Sequence, residues 1–277
     1  MTVALPLLLL FAARSASADP CERRLPGPPR PAAFGTGDAD FGSTPAACPH
    51  FAASLAGRGT ALVDTPDFYG TLLGEVVAGG AYAFGDDLWL TASITAVEWR
   101  FAQSATIAAT QTDLGPATLA AHFTSVEADR VRVAPFLRAL LPTGTRYRYA
   151  VRGGVEPGLA AAVDPGAGLR ATAGLSTPVA ATVLGDRELW DAAGRLSADL
   201  AWAPWTWFEG AAGFELRAGN HPDGALESVS AAAALRFAPW RSLGLDLAGV
   251  LPLAGSDRTD LRVLLGANWI FGRGPAQ

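Results

Sequence analysis

The stretch RTDLRVLLGANWIF, residues 258–271, decides the fold. Every second residue is apolar: Leu261, Val263, Leu265, Ala267, Trp269 and Phe271. Asp260, Arg262, Gly266 and Asn268 fall on the other face, with Leu264 and Ile270 as its apolar members. This is the period-2 alternation of a strand with one apolar and one polar neighbourhood. An aromatic pair at the far end of a last amphipathic strand is the expected closing stave of a transmembrane β-barrel. It would also be the strand offered to barrel-assembly machinery.

Working back from it, alternating segments recur between clusters of turn residues. Twelve are expected, at 53–63, 68–84, 88–101, 115–126, 130–142, 147–163, 167–180, 193–202, 206–217, 225–237, 241–253 and 258–271. Short connections (Gly85-Asp86-Asp87, Glu127-Ala128-Asp129, Asp164-Pro165-Gly166, Ala203-Pro204-Trp205, Ala238-Pro239-Trp240) alternate with longer ones at 64–67, 102–114, 143–146, 181–192, 218–224 and 254–257. Short turns at one rim and longer loops at the other characterise outer-membrane barrels. If Phe271 ends at the periplasm, the chain before the first strand starts there too, which requires an even strand number. The expected fold is therefore all-β, a transmembrane antiparallel up-and-down barrel of twelve strands.

A charge at the lipid midplane costs roughly 2–4 kcal/mol, so charged residues should face the lumen and apolar ones the lipid. On that rule Arg58, Arg100, Arg130, Arg132, Arg138, Arg148, Arg152, Arg170, Arg195, Arg217, Arg236 and Arg262 point inward. So do Glu75, Glu98, Glu156, Asp199, Glu209, Glu215, Asp246 and Asp260, which leaves Arg in excess. Arg130, Arg132, Arg138, Arg148, Arg152 and Arg170 lie on three successive strands and form the densest candidate for a selectivity region. Glu156 and the Asp260–Arg262 pair are its acidic and terminal members. An Arg-rich constriction favours anions by field focusing and bidentate contacts. Arg–acid ladders that fill a narrow lumen are the structural alternative. Segment 88–101 carries a conflict: with Glu98 and Arg100 inside, Thr91, Ser93 and Thr95 would face lipid, and a β-bulge could switch the register between them. Trp89 and Trp99, ten positions apart on one face, have the spacing of two interfacial girdles.

Upstream of the barrel, VALPLLLLFAA at residues 3–13 is too short to span a bilayer as a helix. Ala16-Ser17-Ala18 follows as an A-x-A cleavage signature, so residues 1–18 are expected to be a secretory signal peptide. Residues 19–52 are Pro- and Gly-rich without strand or helix period, an irregular arm. Two arrangements are open for it, hanging in the periplasm or folding into the barrel as a plug. Its Cys21 and Cys48 are the only cysteines. In an oxidising compartment they are expected to pair, stabilising the arm by roughly 3–4 kcal/mol in the chain-entropy model. Residues 53–271 form the barrel and 272–277 a tail. The expected location is the bacterial outer membrane, with its lipid as partner.

Net charge is −5 and there is no Lys, so nothing suggests a nucleic-acid partner. The three His residues, His50, His122 and His221, form no catalytic or metal-ligating set by spacing. No cofactor or metal site is expected, and no enzyme activity. With the strands placed, Leu114-Gly115-Pro116 leads into an alternating strand, and FLRALLPTGT at 136–145 closes one with Leu141-Pro142-Thr143-Gly144. This pattern resembles the outer-membrane proteins associated with the meta-pathway of phenol degradation, over roughly 69–271. The resemblance implies a barrel that passes small, often hydrophobic, compounds. The expected function is thus a passive channel for small solutes, anionic or hydrophobic. A non-conducting barrel with a charge-filled or plugged lumen is the alternative, and a barrel enzyme a remote one.

Overall fold

The computed structural model describes residues 52–64, 69–84, 87–103, 108–128, 130–143, 150–184, 186–205, 207–221, 224–240, 243–255 and 261–269. Residues 1–51, with the expected signal peptide and the expected pair Cys21 and Cys48, lie outside them, as do Arg148, Asp260 and residues 270–277.

Twelve strands form the described wall. They are β1 (Ala52–Asp64), β2 (Tyr69–Ala83), β3 (Leu88–Gln103) and β4, which comes in three pieces (Ala108–Asp113, Ala117–Phe123, Val126–Ala128). Then follow β5 (Val131–Leu141), β6 (Ala150–Gly166) and β7, in two pieces (Leu169–Ser176, Val179–Leu184). The last are β8 (Arg187–Trp205), β9 (Phe208–His221), β10 (Gly224–Trp240), β11 (Leu243–Ala254) and β12 (Leu261–Trp269). Each pairs antiparallel with its chain neighbour, and β12 pairs with both β11 and β1. The sheet is therefore a closed up-and-down barrel with no free long edge.

Alternation around the wall matches the sequence rule. Leu196, Leu200 and Trp202 of β8 and Leu245, Leu247, Leu251 and Leu253 of β11 are exposed on the outside. Arg195, Ser197 and Asp246 on the opposite faces are buried inside. Three of the short turns, those after β6, β8 and β10, fall two or three residues later than expected. At 167–168 both central residues have positive φ, Ala167 at 56° and Gly168 at 75°, and Gly166 pairs with Leu169. That is the two-residue hairpin whose twist suits adjoining strands. A Cβ at Gly168 would lie 2.5 Å from the Ala203 carbonyl oxygen, which fixes glycine there.

The register conflict in β3 resolves as a bulge. Val76 pairs with Val97, but Val77 pairs with Thr95, so Ala96 is the extra residue. Before it Trp89 and Thr95 are buried inside; after it Glu98 is inside and Trp99 and Phe101 are exposed. Thr95 before it and Glu98 after it thus both reach the lumen. The bulge also corrects the girdle expectation: Trp89 and Trp99 lie on opposite faces. Trp190 and Trp202 of β8, both exposed, share the outer face instead. Twelve positions at about 3.3 Å and a tilt of about 40° separate them by roughly 30 Å along the membrane normal.

A second difference concerns 181–192, expected as an outer loop. It is strand up to Leu184 and again from Arg187, with six paired positions from Val179↔Ala192 to Leu184↔Arg187. Beyond the apolar band the outward face need not be apolar, so alternation no longer marks the strand. The fourth strand is itself stepped. Ala108–Asp113 pairs with β3, whereas the β4–β5 ladder stops at Ala117↔Leu141. Among the described residues that piece of β4 has no strand partner on its β5 side. Leu114-Gly115-Pro116 forms the step between the pieces: Gly115 N donates to Thr95 O and Thr95 N to Pro116 O. A Cβ on Gly115 would meet the Thr95 Cβ at 2.5 Å.

Candidate functional site

The inward side chains form tiers of ion pairs that run around the wall rather than along one strand. Cross-strand register brings Arg138 of β5 opposite Glu156 of β6, and Arg195 of β8 opposite Ser176 of β7. Glu156 is wholly buried and takes Arg138 Nη1 at 3.3 Å and Arg195 Nη1 at 3.3 Å. The Ser176 hydroxyl donates to it at 2.6 Å. Arg195 also reaches Glu215 of β9 at 2.8 Å. One chain of alternating charge therefore links five strands at mid-height. A buried carboxylate is tolerable only when so compensated.

Two further tiers flank it. Toward the rim with the longer connections, Asp191 of β8 accepts from Arg152 of β6 at 3.4 Å and Arg217 of β9 at 3.1 Å. Arg152 also donates to the Thr182 hydroxyl at 3.1 Å. Toward the rim with the short turns, Arg170 meets Glu209 at 3.1 Å, the Thr172 hydroxyl meets Asp199, and Arg236 meets Asp246. Beside the mid-height tier, Trp89 stacks on His122 at 5.0 Å with rings 7° from parallel. His122 in turn lies 5.6 Å from Phe136, over which the Arg138 guanidinium sits at 5.7 Å. Phe136 covers Gly158, where a Cβ would come within 2.5 Å of its ring. His122 faces the lumen as expected, buried, with the Thr91 hydroxyl 3.3 Å from Nε2.

The expected Arg cluster is dispersed. Arg138 sits at mid-height and Arg152 near the longer-loop rim. Arg130, Arg132 and Arg170 lie near the short-turn rim, because β5 and β7 both start there. Arg262 stands in β12 between Val250 and Thr60. Sequence reading missed Asp191 and Ser176. Both carried a usable signal: Asp191 shares the parity of Arg195 and Asp199, and Ser176 that of Arg170. For Asp191 the missing step was to continue the strand upstream of 193; Ser176 already lay within the expected 167–180 and was passed over because only charged residues were assigned inward. Asp191 also adds an acid to the wall, so the described lumen carries no large excess of Arg.

No protein-family model and no curated protein sequence matches the chain. Solved structures do. An outer-membrane channel from Pseudomonas putida F1 aligns over 85% of this chain and 100% of its own, with a TM-score of 0.58 and 14% identity. The translocator domain of the autotransporter NalP from Neisseria meningitidis aligns over 80% and 88%, with a TM-score of 0.57 and 8% identity. KdgM porin in complex with disordered oligogalacturonate aligns over 79% and 99%, with a TM-score of 0.51 and 10% identity. Identities this low carry the fold alone. The fold is that of outer-membrane β-barrels.

Proposed function

We propose that this chain is a passive channel of the bacterial outer membrane for small solutes, with a preference for anions. The longer connections face outside and the short turns face the periplasm. The carrying observation is the tier at the outer mouth, where two guanidiniums, Arg152 and Arg217, share one oxygen of Asp191. The deeper Arg138, Arg195 and Arg236 meet buried acids, whereas at the mouth two guanidiniums converge on one water-exposed carboxylate and make a local positive patch. Such a potential raises the local anion concentration and steers entry. The likeness to a channel and a porin supports a solute path over a purely structural barrel.

Purified protein in planar bilayers tests this. Discrete conductance steps with an anion-selective reversal potential are expected, and Arg152→Gln with Arg217→Gln should move that potential toward cation preference. A silent bilayer, both with and without residues 19–52, would reject the channel.

A further inference from the structure

The outermost tier differs from the others in who is exposed. Arg152 and Arg217 keep only 15% and 8% of their side-chain surface in contact with water, whereas Asp191 keeps 36%. The two cations are held in the wall from β6 and β9, and the anion between them is the accessible partner. Both contacts end on the same atom, Asp191 Oδ2, one from each Nη2. Arg152 is steadied independently by its Nη1 bond to Thr182. Removing the Asp191 carboxylate therefore leaves a fork of two guanidiniums on fixed strands, spaced to accept one carboxylate oxygen.

We infer that this fork is a binding site for small carboxylate monoanions, and that Asp191 occupies it as a built-in competitor when no solute is bound. An entering carboxylate takes the place of Oδ2 between the two Nη2 atoms, and the Asp191 side chain turns to water. The exchange swaps like for like, so the guanidiniums keep a counter-ion throughout and pay no desolvation penalty for an interval without one. It also sets the affinity low, as a conducting path requires: binding must be weak enough to release. A carboxylate is favoured over phosphate because the fork already holds that group with that geometry. This inference rests on reading the lumen mouth as a solute path, but its test does not depend on conduction.

Isothermal titration of detergent-purified full chain with sodium gluconate, sorbitol and inorganic phosphate decides the matter. Heat-modifiable gel mobility confirms that each variant is folded. Gluconate should bind and its uncharged analogue sorbitol should not. Asp191→Asn, which keeps the shape and removes the competitor, should tighten gluconate binding roughly tenfold. Arg152→Gln and Arg217→Gln should each weaken it by a similar factor. Unchanged or weaker binding in Asp191→Asn overturns the competitor role, and equal binding of sorbitol overturns the carboxylate site. Tighter binding of phosphate than of gluconate overturns the assigned class. Gluconate binding in a protein that passes no current would sustain the site while rejecting the channel.

Discussion

Glu156 shows how much a single buried group carries. Two guanidiniums and one hydroxyl converge on its carboxylate from three other strands. Replacing it by Gln keeps the shape and leaves Arg138 and Arg195 without that counter-charge. Breaking one side of a buried pair costs about 3–5 kcal/mol. Glu156→Gln should therefore lower stability against urea by roughly that amount in lipid vesicles, whereas Ser176→Ala should cost only about 1 kcal/mol. At the turn the two neighbours have opposite expectations. Ala167 holds a left-handed conformation that an L side chain dislikes by roughly 1–2 kcal/mol, so Ala167→Gly should stabilise by a part of that. Gly168→Ala adds a Cβ against the Ala203 carbonyl and should destabilise. The same urea titration reads both; a stabilised Gly168→Ala would show that the hairpin rearranges. Legibility at this scale was uneven. The inward direction of Glu156 and Arg138 followed from parity, but their partnership depended on register between strands, which local alternation does not specify.

At the level of the element, the bulge in β3 is the decisive feature. A strand has one bit of facing information, and a single inserted residue inverts it. Ala96 lets an inward run ending at Thr95 continue as an inward run at Glu98. Deleting Ala96 would force Glu98 and Arg100, or else Thr91, Ser93 and Thr95, toward lipid. At roughly 2–4 kcal/mol per lipid-facing charge, the deletion should abolish folding into vesicles, seen as loss of the heat-modifiable band. A normally folding deletion would mean that the inward faces are not fixed by these residues. The sequence exposed this bulge as a contradiction between two polar runs, which is why its place was readable. The β7–β8 hairpin was unreadable for the converse reason: outside the apolar layer both faces are wet, and Leu189, Trp190 and Asp191 show no alternation. Interruptions of β4 at 114–116 were only half legible. The Gly and Pro signalled a break, while the earlier piece, AATQTD, has too little apolar content to announce a strand.

For the whole molecule, strand number and closure followed from one strand pattern and one parity argument, because lipid imposes the same rule on every stave. Charge pairing followed less well. The lumen sees side chains from many strands at once, and a census by sign cannot tell a ladder from a constriction. That is why the three tiers, with the exposed Asp191 fork at one end, emerged only with the register in hand. Conductance and its reversal potential remain the measurements that speak to the molecule as a channel.

The seam between β1 and β12 has one more implication. Nothing covalent joins these strands; nine paired positions, Ala53↔Trp269 to Ala61↔Leu261, hold them as any other neighbours are held. The seam is thus a break in the polypeptide but not in the sheet. Cutting the chain between β7 and β8 and joining 269 to 52 through a short flexible linker would give a circularly permuted barrel with new ends at the opposite rim. Its wall pairing should be unchanged, and its heat-modifiable mobility should match that of the parent.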